Sequence, residues 1–204
     1  MDGVNPRGGW IEVITGGMFS GKSEELIRRI RRAEIARQRT QIFKPAIDNR
    51  FDLKRVISRD NRGVDAVVVN NATELRSNLL FGVKVVDIDE VQFFDDGIID
   101  VCMELADASV RVIAAGLDQD YLRRPFGPMP GLLAVAEYVS KMHAVCVRCG
   151  GPAHYTQRVA GGNSQIEIGD GTYEARCRVC YETYEATETS AEHLREPRDV
   201  AITH

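Results

Sequence analysis

Short apolar runs alternate with segments of helical periodicity between residues 10 and 139 of the chain. The runs that we predict to be strands cover residues 10–15, 41–44, 67–69, 83–88 and 110–115. The segments that we predict to be helices cover residues 23–39, 73–80, 97–107 and 131–139. Strands that alternate with helices are typical of a mostly parallel sheet with helices on its faces. The predicted fold class is therefore α/β.

The composition is that of a globular protein. The chain has 204 residues, of which 44% are hydrophobic and 27% are charged, and its net charge is −4. This charge gives no general attraction to a phosphate backbone or an anionic membrane, so any binding of phosphate groups must be local. Residues 1–15 lack the apolar core of a signal peptide, and no apolar run approaches the ~18 residues of a membrane span. We therefore expect a soluble, cytoplasmic protein.

A phosphate-binding motif lies between the first predicted strand and the first predicted helix. Residues 16–23 have the sequence GGMFSGKS, which matches the pattern GxxxxGK[ST]. Glycines allow the backbone to wrap closely around phosphate groups, Lys22 supplies a positive charge, and Ser23 supplies an oxygen ligand for Mg²⁺. An ordinary glycine-rich turn is the alternative, but the complete strand, loop and helix context favours a nucleotide-binding P-loop.

Carboxylates follow the apolar strand predicted at residues 83–88. Asp89 lies where this strand ends and would bind the Mg²⁺ ion of a P-loop site, through water. Asp87 is the alternative candidate for this role, because residues two apart on a strand point to the same face of the sheet. Glu90 would face the nucleophile as a general base, since a carboxylate beside a γ-phosphate can accept the proton of an attacking hydroxyl or water. A solvated strand end is the alternative, and the presence of the P-loop argues against it.

Four of the five cysteines form two CxxC pairs, Cys146 with Cys149 and Cys177 with Cys180. Four thiolates at this spacing close a tetrahedral Zn²⁺ site without an open position, which predicts a structural metal centre. Unligated thiols and a redox-active pair are the alternatives, and the duplication of the pair outside a thioredoxin-like pattern argues against the second. Cys102 lies on a helical pattern and is predicted to belong to the core.

Three regions are predicted along the chain. A nucleotide-binding domain would cover residues 1–145, a small zinc-binding domain residues 146–184, and a disordered tail residues 185–204, where few apolar residues remain. Residues 46–63 have mixed charge and no periodicity, which indicates a functional or mobile loop.

Five sequence blocks occur in an order that closely resembles thymidine kinases of the small, zinc-containing type. The blocks are GGMFSGKSEELIRRIRR, DIDEVQFF, GLDQDYLRRPFG, AVCVRCGGPAHYTQR and YEARCRVCY, and the resemblance extends over residues 10–184. It implies a RecA-like P-loop domain with a mostly parallel sheet, and a small C-terminal zinc-binding domain that closes over the base through a flexible lasso loop. It also implies transfer of the γ-phosphoryl group of ATP, with Mg²⁺, to the 5′-hydroxyl of deoxythymidine and also of deoxyuridine, for DNA precursor salvage.

The resemblance assigns individual residues to the two substrates. Its ATP and Mg²⁺ residues are Gly16, Gly17, Met18, Phe19, Ser20, Gly21, Lys22, Ser23, Asp60, Asn61, Arg62, Asp89, Glu90, Val91 and Gln92. Its nucleoside residues are Met18, Leu117, Tyr121, Thr156, Gln165, Ile166, Glu167, Ile168, Gly169 and Tyr173. Its catalytic residues are Glu90, the proton acceptor, and Lys22. Tyr121 stands where the family commonly has a stacking Phe, and the backbone of residues 165–169 would bind the edge of the base.

Two positions depart from the family pattern. Arg59 replaces a residue beside the donor site that is often His, and residues 170–172 are one residue shorter than usual, which affects the register of the lasso loop. The resemblance further implies a homotetramer and feedback inhibition by dTTP, with no direct binding of nucleic acid or membranes.

Other interpretations remain open at this point. For Met18 and Leu117, simple packing is the alternative to a pocket role. A kinase of a different deoxynucleoside would share the same fold and motifs. A RecA-like ATPase that depends on nucleic acid would bind DNA through the zinc-binding region and the arginines, but the isoelectric point near 5.6 and the lack of a basic groove with interleaved aromatics argue against it.

Overall fold

The computed structural model describes residues 8–46, 55–57, 63–160 and 172–182. The strands are β1 (Trp10–Thr15), β2 (Thr40–Pro45), β3 (Arg55–Ile57), β4 (Gly63–Asp65), β5 (Val67–Val69), β6 (Val85–Ile88), β7 (Arg111–Gly116), β8 (Tyr138–Lys141), β9 (Ala144–Val145), β10 (Pro152–Ala153), β11 (Tyr155–Arg158) and β12 (Tyr173–Arg176). The helices are α1 (Lys22–Ile35), α2 (Ala72–Ser77), α3 (Gly97–Asp107) and α4 (Met129–Val135).

Six of these strands form one sheet in the order β5-β2-β6-β7-β1-β8, and every neighbouring pair is parallel. Strand β1 leads into the P-loop and lies between β7 and β8, while β6 lies on the other side of β7. Since the strands are parallel, the loops that follow β1, β6 and β7 leave the sheet at the same edge. The structure confirms the predicted α/β class with a mostly parallel sheet between helices.

Helices cover both faces of the sheet and enclose two apolar clusters. Helix α1 packs on one face, against residues such as Ile42 and Ile113. Helices α2, α3 and α4 pack on the other face, where Cys102 is fully buried as predicted. Burial raises the pKa of the Cys102 thiol to about 12, so this cysteine is an unreactive core side chain.

Most predicted elements are present, with differences at their ends. Strands β1 and β5 and helix α3 have the predicted bounds. Helix α1 ends four residues before the predicted position, because Arg37 adopts a left-handed φ of 55° and Gln38 N donates back to the Ala33 carbonyl.

Helix α2 ends three residues before its predicted end. Gln41 of β2 binds the following segment: its Nε2 donates to the Asn78 carbonyl at 2.8 Å, and its Oε1 accepts a bond from Leu80 N at 2.9 Å. These bonds from a neighbouring strand hold the backbone in a non-helical path.

The helix predicted at residues 131–139 is wrong in its second half. Helix α4 ends at Val135, and Tyr138 and Val139 belong to β8, which pairs with β1 as the sixth strand of the sheet. A short apolar segment does not distinguish helix from strand by periodicity alone, and here pairing with the edge of β1 decides the outcome.

The part of the chain from β9 to Tyr181, which we call the cysteine region, contains two antiparallel ribbons. Strands β9 and β10 form one ribbon, and strands β11 and β12 form the other. The predicted tail at 185–204 and most of the predicted loop at 46–63 lie outside the described residues, and the predicted division into domains stays a prediction. Within the described residues, no helix combines the length and hydropathy that crossing a bilayer requires.

Candidate active site

The P-loop follows β1, and two of its residues have backbone conformations that favour glycine. Gly16 has a φ of 142° and Gly21 a φ of 82°. A side chain on Gly16 would collide with the carbonyl oxygen of Met142, which follows β8. Gly21 is the N-cap of α1 and has no side chain that could bond the first amides of the helix. The amides and the positive end of the helix dipole are therefore directed at the loop, an arrangement that suits a phosphate group.

Two polar side chains of the P-loop converge on one backbone carbonyl. Ser20 Oγ donates to the Gly17 oxygen at 2.8 Å, and Lys22 Nζ donates to the same oxygen at 2.9 Å. The Lys22 ammonium therefore lies across the loop. Phosphate oxygens are stronger acceptors than a carbonyl, so a bound triphosphate would compete for this ammonium.

Thr156 of β11 connects the P-loop to the cysteine region. Its hydroxyl accepts a hydrogen bond from Met18 N at 3.0 Å. A Cβ atom on Gly17 would lie only 3.4 Å from both the Thr156 hydroxyl and the His154 carbonyl oxygen. The structure thus brings together Met18 and Thr156, two of the residues predicted for the nucleoside.

The turn after β6 carries Asp89 and Glu90. Asp89 N donates to the Phe43 carbonyl at 2.9 Å, which continues the pairing of β6 with β2, and the Asp89 side chain is buried. Glu90 has a left-handed backbone, with φ 49° and ψ 41°, and a single 3₁₀ turn at Val91–Phe93 follows. The Glu90 carboxylate accepts a hydrogen bond from Gln92 Nε2 at 2.5 Å.

A series of hydrogen bonds joins this turn to the P-loop strand. Thr15, the last residue of β1, donates its hydroxyl to the Gly116 carbonyl at 3.1 Å. The next residue, Leu117, donates its N–H to Gln92 Oε1 at 3.0 Å, and Gln92 in turn bonds Glu90. The P-loop strand, the end of β7 and the acidic turn therefore form one connected edge.

Asp87 occupies a different environment from Asp89. It lies between Ile42 and Ile113 under helix α1 and is fully buried. Within the described part of the chain, neither of its carboxylate oxygens has a hydrogen-bond partner. Burial raises the pKa of the Asp87 carboxyl well above its ordinary value. The Asp87 carboxyl lies in the apolar layer under α1, whereas Asp89 follows β6 at the edge where the loops leave the sheet, so the geometry favours Asp89 over the predicted alternate.

Tyr121 and Tyr173, both predicted for the nucleoside, are joined by a residue that the sequence analysis missed. The guanidinium of Arg158 lies 3.6 Å from the centroid of the Tyr121 ring, and its Nη2 donates to the Tyr173 hydroxyl at 2.8 Å. Arg158 lies two residues after Thr156 on β11, so it shares that residue's side of the strand. This parity is the signal that points to it.

The loop that carries Tyr121 is held from within and from the cysteine region. The carboxylate of Asp120 accepts bonds from Leu122 N and Arg124 N, both at 2.9 Å. The hydroxyl of Tyr181 donates to the Tyr121 carbonyl at 2.6 Å. Asp120 was also missed from the sequence, since an Asp in a loop gives no signal of which amides it will bind.

The four predicted metal ligands are brought together. The Sγ atoms of Cys146, Cys149, Cys177 and Cys180 all lie within 4.8 Å of one another, and those of Cys149 and Cys177 are 3.7 Å apart. A tetrahedral site with Zn–S bonds of about 2.3 Å has S···S edges of about 3.8 Å. Cys180 N also donates to the Cys177 sulfur at 3.4 Å, a bond that a thiolate accepts well. The cluster is therefore positioned to bind a metal ion.

Several predicted site residues lie outside the described residues. They are Asp60, Asn61, Arg62, Gln165, Ile166, Glu167, Ile168 and Gly169, and Arg59, which departs from the family pattern, also lies outside the described residues.

Comparison with known proteins decides the family. The family model described as thymidine kinase matches residues 9–181. The chain belongs to the thymidine kinase family. The thymidine kinase of Rhodothermus sp. (strain ITI 518) is 48% identical over 194 residues, which are 95% of this chain and 90% of that protein. The thymidine kinase of Bdellovibrio bacteriovorus is 53% identical over 171 residues, covering 83% and 84% of the two chains. That of Porphyromonas gingivalis is 52% identical over 176 residues, 86% of each chain.

Membership of the thymidine kinase family confirms the resemblance stated from the sequence. It also confirms the predicted enzyme class, a kinase with a nucleotide-binding P-loop.

Proposed function

We propose that this thymidine kinase transfers the γ-phosphoryl group of ATP to the 5′-hydroxyl of deoxythymidine and also of deoxyuridine. The product dTMP would enter DNA precursor salvage. The observation that carries the proposal is the series of hydrogen bonds that joins the P-loop strand to Glu90 through the end of β7. It supports a site in which the donor phosphates and a proton-accepting carboxylate lie at one edge of the sheet.

The P-loop and the first turn of α1 form the donor side of the proposed site. Their amides would bind the phosphates, and Lys22 would exchange the Gly17 carbonyl for phosphate oxygens. Bound Mg²⁺ would neutralise charge on the β- and γ-phosphates. Ser23 and Asp89 offer oxygen ligands for this ion, since both belong to the edge where the loops meet. By the family resemblance, residues 60–62 and 91–92 complete this side.

Glu90 is the proposed general base. It would accept the proton of the nucleoside 5′-hydroxyl as that oxygen bonds to the γ-phosphorus. At the same time the bond from the γ-phosphorus to the bridging oxygen breaks, and ADP leaves with that electron pair. Because little covalent chemistry falls to the protein, the rate depends on how well the carboxylate and the phosphates are positioned.

The nucleoside would stack on Tyr121. Because Arg158 covers one face of this ring at 3.6 Å, we place the base on the opposite face. By the family resemblance, the backbone of residues 165–169 binds the edge of the base. The other proposed lining residues are Met18, Leu117, Thr156 and Tyr173.

We propose that the four cysteines bind one structural Zn²⁺. The S···S geometry fits a tetrahedral ion, and four thiolates leave no position for a substrate. Such an ion would fix β11 and β12 beside the P-loop, where Thr156 bonds Met18 N.

Three further expectations rest on the family resemblance and stay predictions. They are a homotetrameric assembly, feedback inhibition by dTTP and a cytoplasmic location.

The test is transfer of radiolabel from γ-labelled ATP to thymidine by the purified full-length chain. We expect a labelled 5′-monophosphate, with 3′-deoxythymidine also accepted and 5′-deoxythymidine inert, because only the latter lacks the attacking hydroxyl. Label release that does not depend on any nucleoside, or that rises with single-stranded DNA, would contradict the proposal and favour the ATPase interpretation.

A further inference from the structure

Gln92 has a buried side chain that joins two parts of the site. Its Oε1 accepts a hydrogen bond from Leu117 N at 3.0 Å, and its Nε2 donates to Glu90 Oε2 at 2.5 Å. The side chain is 2% exposed. By the family resemblance, Gln92 belongs to the ATP and Mg²⁺ residues, but its amide is directed at Glu90 and at the backbone after β7.

The backbone fixes which way the amide points. Leu117 N–H can only donate, so the carbonyl end of the Gln92 amide must face it. The NH₂ end is then left facing Glu90, where it donates to a carboxylate oxygen. This bond, together with that from Leu117 N–H, fixes the direction of the carboxylate oxygen relative to the backbone after β7.

Two glycines make room for Gln92. A Cβ atom on Gly116 would lie 2.6 Å from Gln92 Oε1 and 2.9 Å from Val91 Cγ1. A Cβ atom on Gly127 would collide with the Gln92 carbonyl oxygen, and Gly127 also has a left-handed φ of 49°. The packing around Gln92 therefore depends on the absence of side chains at both positions, which holds the amide in one place.

We propose that Gln92 is a positioning residue that orients the Glu90 carboxylate toward the 5′-hydroxyl by tying it to the end of β7. The inference rests on the proposed function, because it assigns Gln92 a role only if Glu90 is the base. The left-handed backbone of Glu90 gives the carboxylate no orientation by itself, so a rigid donor two residues away supplies it.

The first test is Gln92→Glu, which keeps the acceptor for Leu117 N–H and replaces the donor with a second carboxylate oxygen. A second carboxylate repels the Glu90 carboxylate instead of donating to it, so the bond that orients Glu90 is lost. We expect the single-turnover rate of phosphoryl transfer at saturating ATP to fall by about 10- to 100-fold, with KM for thymidine within about threefold of wild type. A transfer rate within about threefold of wild type overturns the proposal.

Gln41→Glu is the matched control. Gln41 is also buried, accepts one backbone N–H from Leu80 and donates to one oxygen, that of Asn78. It contacts the segment that leads into β6, whereas Glu90 follows β6. We expect Gln41→Glu to lower the melting temperature while the transfer rate stays within about threefold of wild type.

If Gln92→Glu does not fold, Gln92→Met keeps the volume and removes both hydrogen bonds. We expect its transfer rate at saturating ATP to fall by about 10- to 100-fold, with KM for thymidine within about threefold of wild type. A transfer rate within about threefold of wild type overturns the proposal.

Glu90→Gln separates this proposal from the proposed function. If Glu90→Gln turns over normally, Glu90 is not the base and the proposed chemistry fails. If Glu90→Gln is inactive while the Gln92 variants behave like wild type, only the positioning role of Gln92 fails.

Discussion

Three non-glycine residues of the candidate site have left-handed backbones. They are Phe19 in the P-loop, Glu90 after β6 and Arg123 beside Tyr121. Such conformations cost about 1–3 kcal/mol each and persist where the surroundings fix them. Glu90 is held by Gln92, and Arg123 N donates to the Asp120 carbonyl at 3.0 Å. This conformational cost is consistent with a site whose side chains are held in position before a substrate binds.

The substitution Glu90→Gln tests whether this carboxylate is the general base. We expect the transfer rate to fall by roughly 10²- to 10⁴-fold, because the amide cannot accept the hydroxyl proton, while ATP and thymidine still bind. Single-turnover kinetics and calorimetric binding measure the two effects. The control is Glu104→Gln, which changes an exposed carboxylate on α3 that pairs with Arg76 and should keep the wild-type rate. Near-normal transfer by Glu90→Gln would remove this residue from the mechanism.

Asp87 illustrates a stability cost inside the core. Burial raises the pKa of its carboxyl well above the ordinary value, Arg111 opposes this shift, and Glu12 and Glu34 add to it. As the pH rises above ~4, the unfolded chain releases this proton while the folded chain keeps it. The free energy of unfolding therefore loses about 1.4 kcal/mol per pH unit from this group, until the raised folded pKa is reached.

The variant Asp87→Val removes that loss. We expect it to be more stable than wild type at neutral pH, and the difference to grow as the pH rises from about 4 toward the raised pKa of Asp87, as measured by urea unfolding. Asp87→Asn, which cannot ionise, should show the same flattened pH dependence but less stability than Asp87→Val, because a buried amide without partners remains. A difference between wild type and Asp87→Val that does not change with pH would contradict this account.

At the scale of elements, the sequence predicts well where local signals agree. The strand, glycine loop and helix around Lys22 were all predicted, since apolar pattern and motif coincide there. Strand β8 was not, because Tyr138 and Val139 look the same in a helix and in a strand until β1 is available as a partner. The short ribbons β9 to β12 were not assigned either, since they depend on contacts across the cysteine cluster.

The cysteine cluster is the element whose metal can be tested directly. Elemental analysis of freshly purified, untagged protein should find about one zinc per chain, since one tetrahedral ion uses all four thiolates. Cys177→Ser should lower the zinc content, the melting temperature and the activity together, because the proposed ion would hold β11 and β12 beside the P-loop. The control Cys102→Ser changes a buried cysteine outside the cluster and should lower stability with the zinc content retained. An active enzyme that contains no metal would contradict the zinc assignment.

At the scale of the whole molecule, the class of the fold, the kinase family and the clustering of the four cysteines could be predicted from the sequence. P-loop, acidic turn and cysteines each carry a local spacing that the chemistry requires. The connections between them could not be predicted. Arg158 over Tyr121, and Gln92 between Glu90 and Leu117, are set by the order of strands in the sheet and by the ribbon packed on it.

The ratio of kcat/KM for thymidine to that for deoxycytidine, with ATP as donor, measures whether this kinase is specific for thymidine. The backbone groups that the family resemblance assigns to the base edge match N3–H and O4 of thymine, whereas cytosine presents an acceptor at N3 and a donor at position 4. Buried groups would then lack partners, so we predict a ratio of roughly 10⁴ or more. Deoxyuridine, which lacks one methyl group, should lose only the equivalent of about 1–3 kcal/mol. Equal kcat/KM for thymidine and deoxycytidine would contradict the account and identify a broader deoxynucleoside kinase.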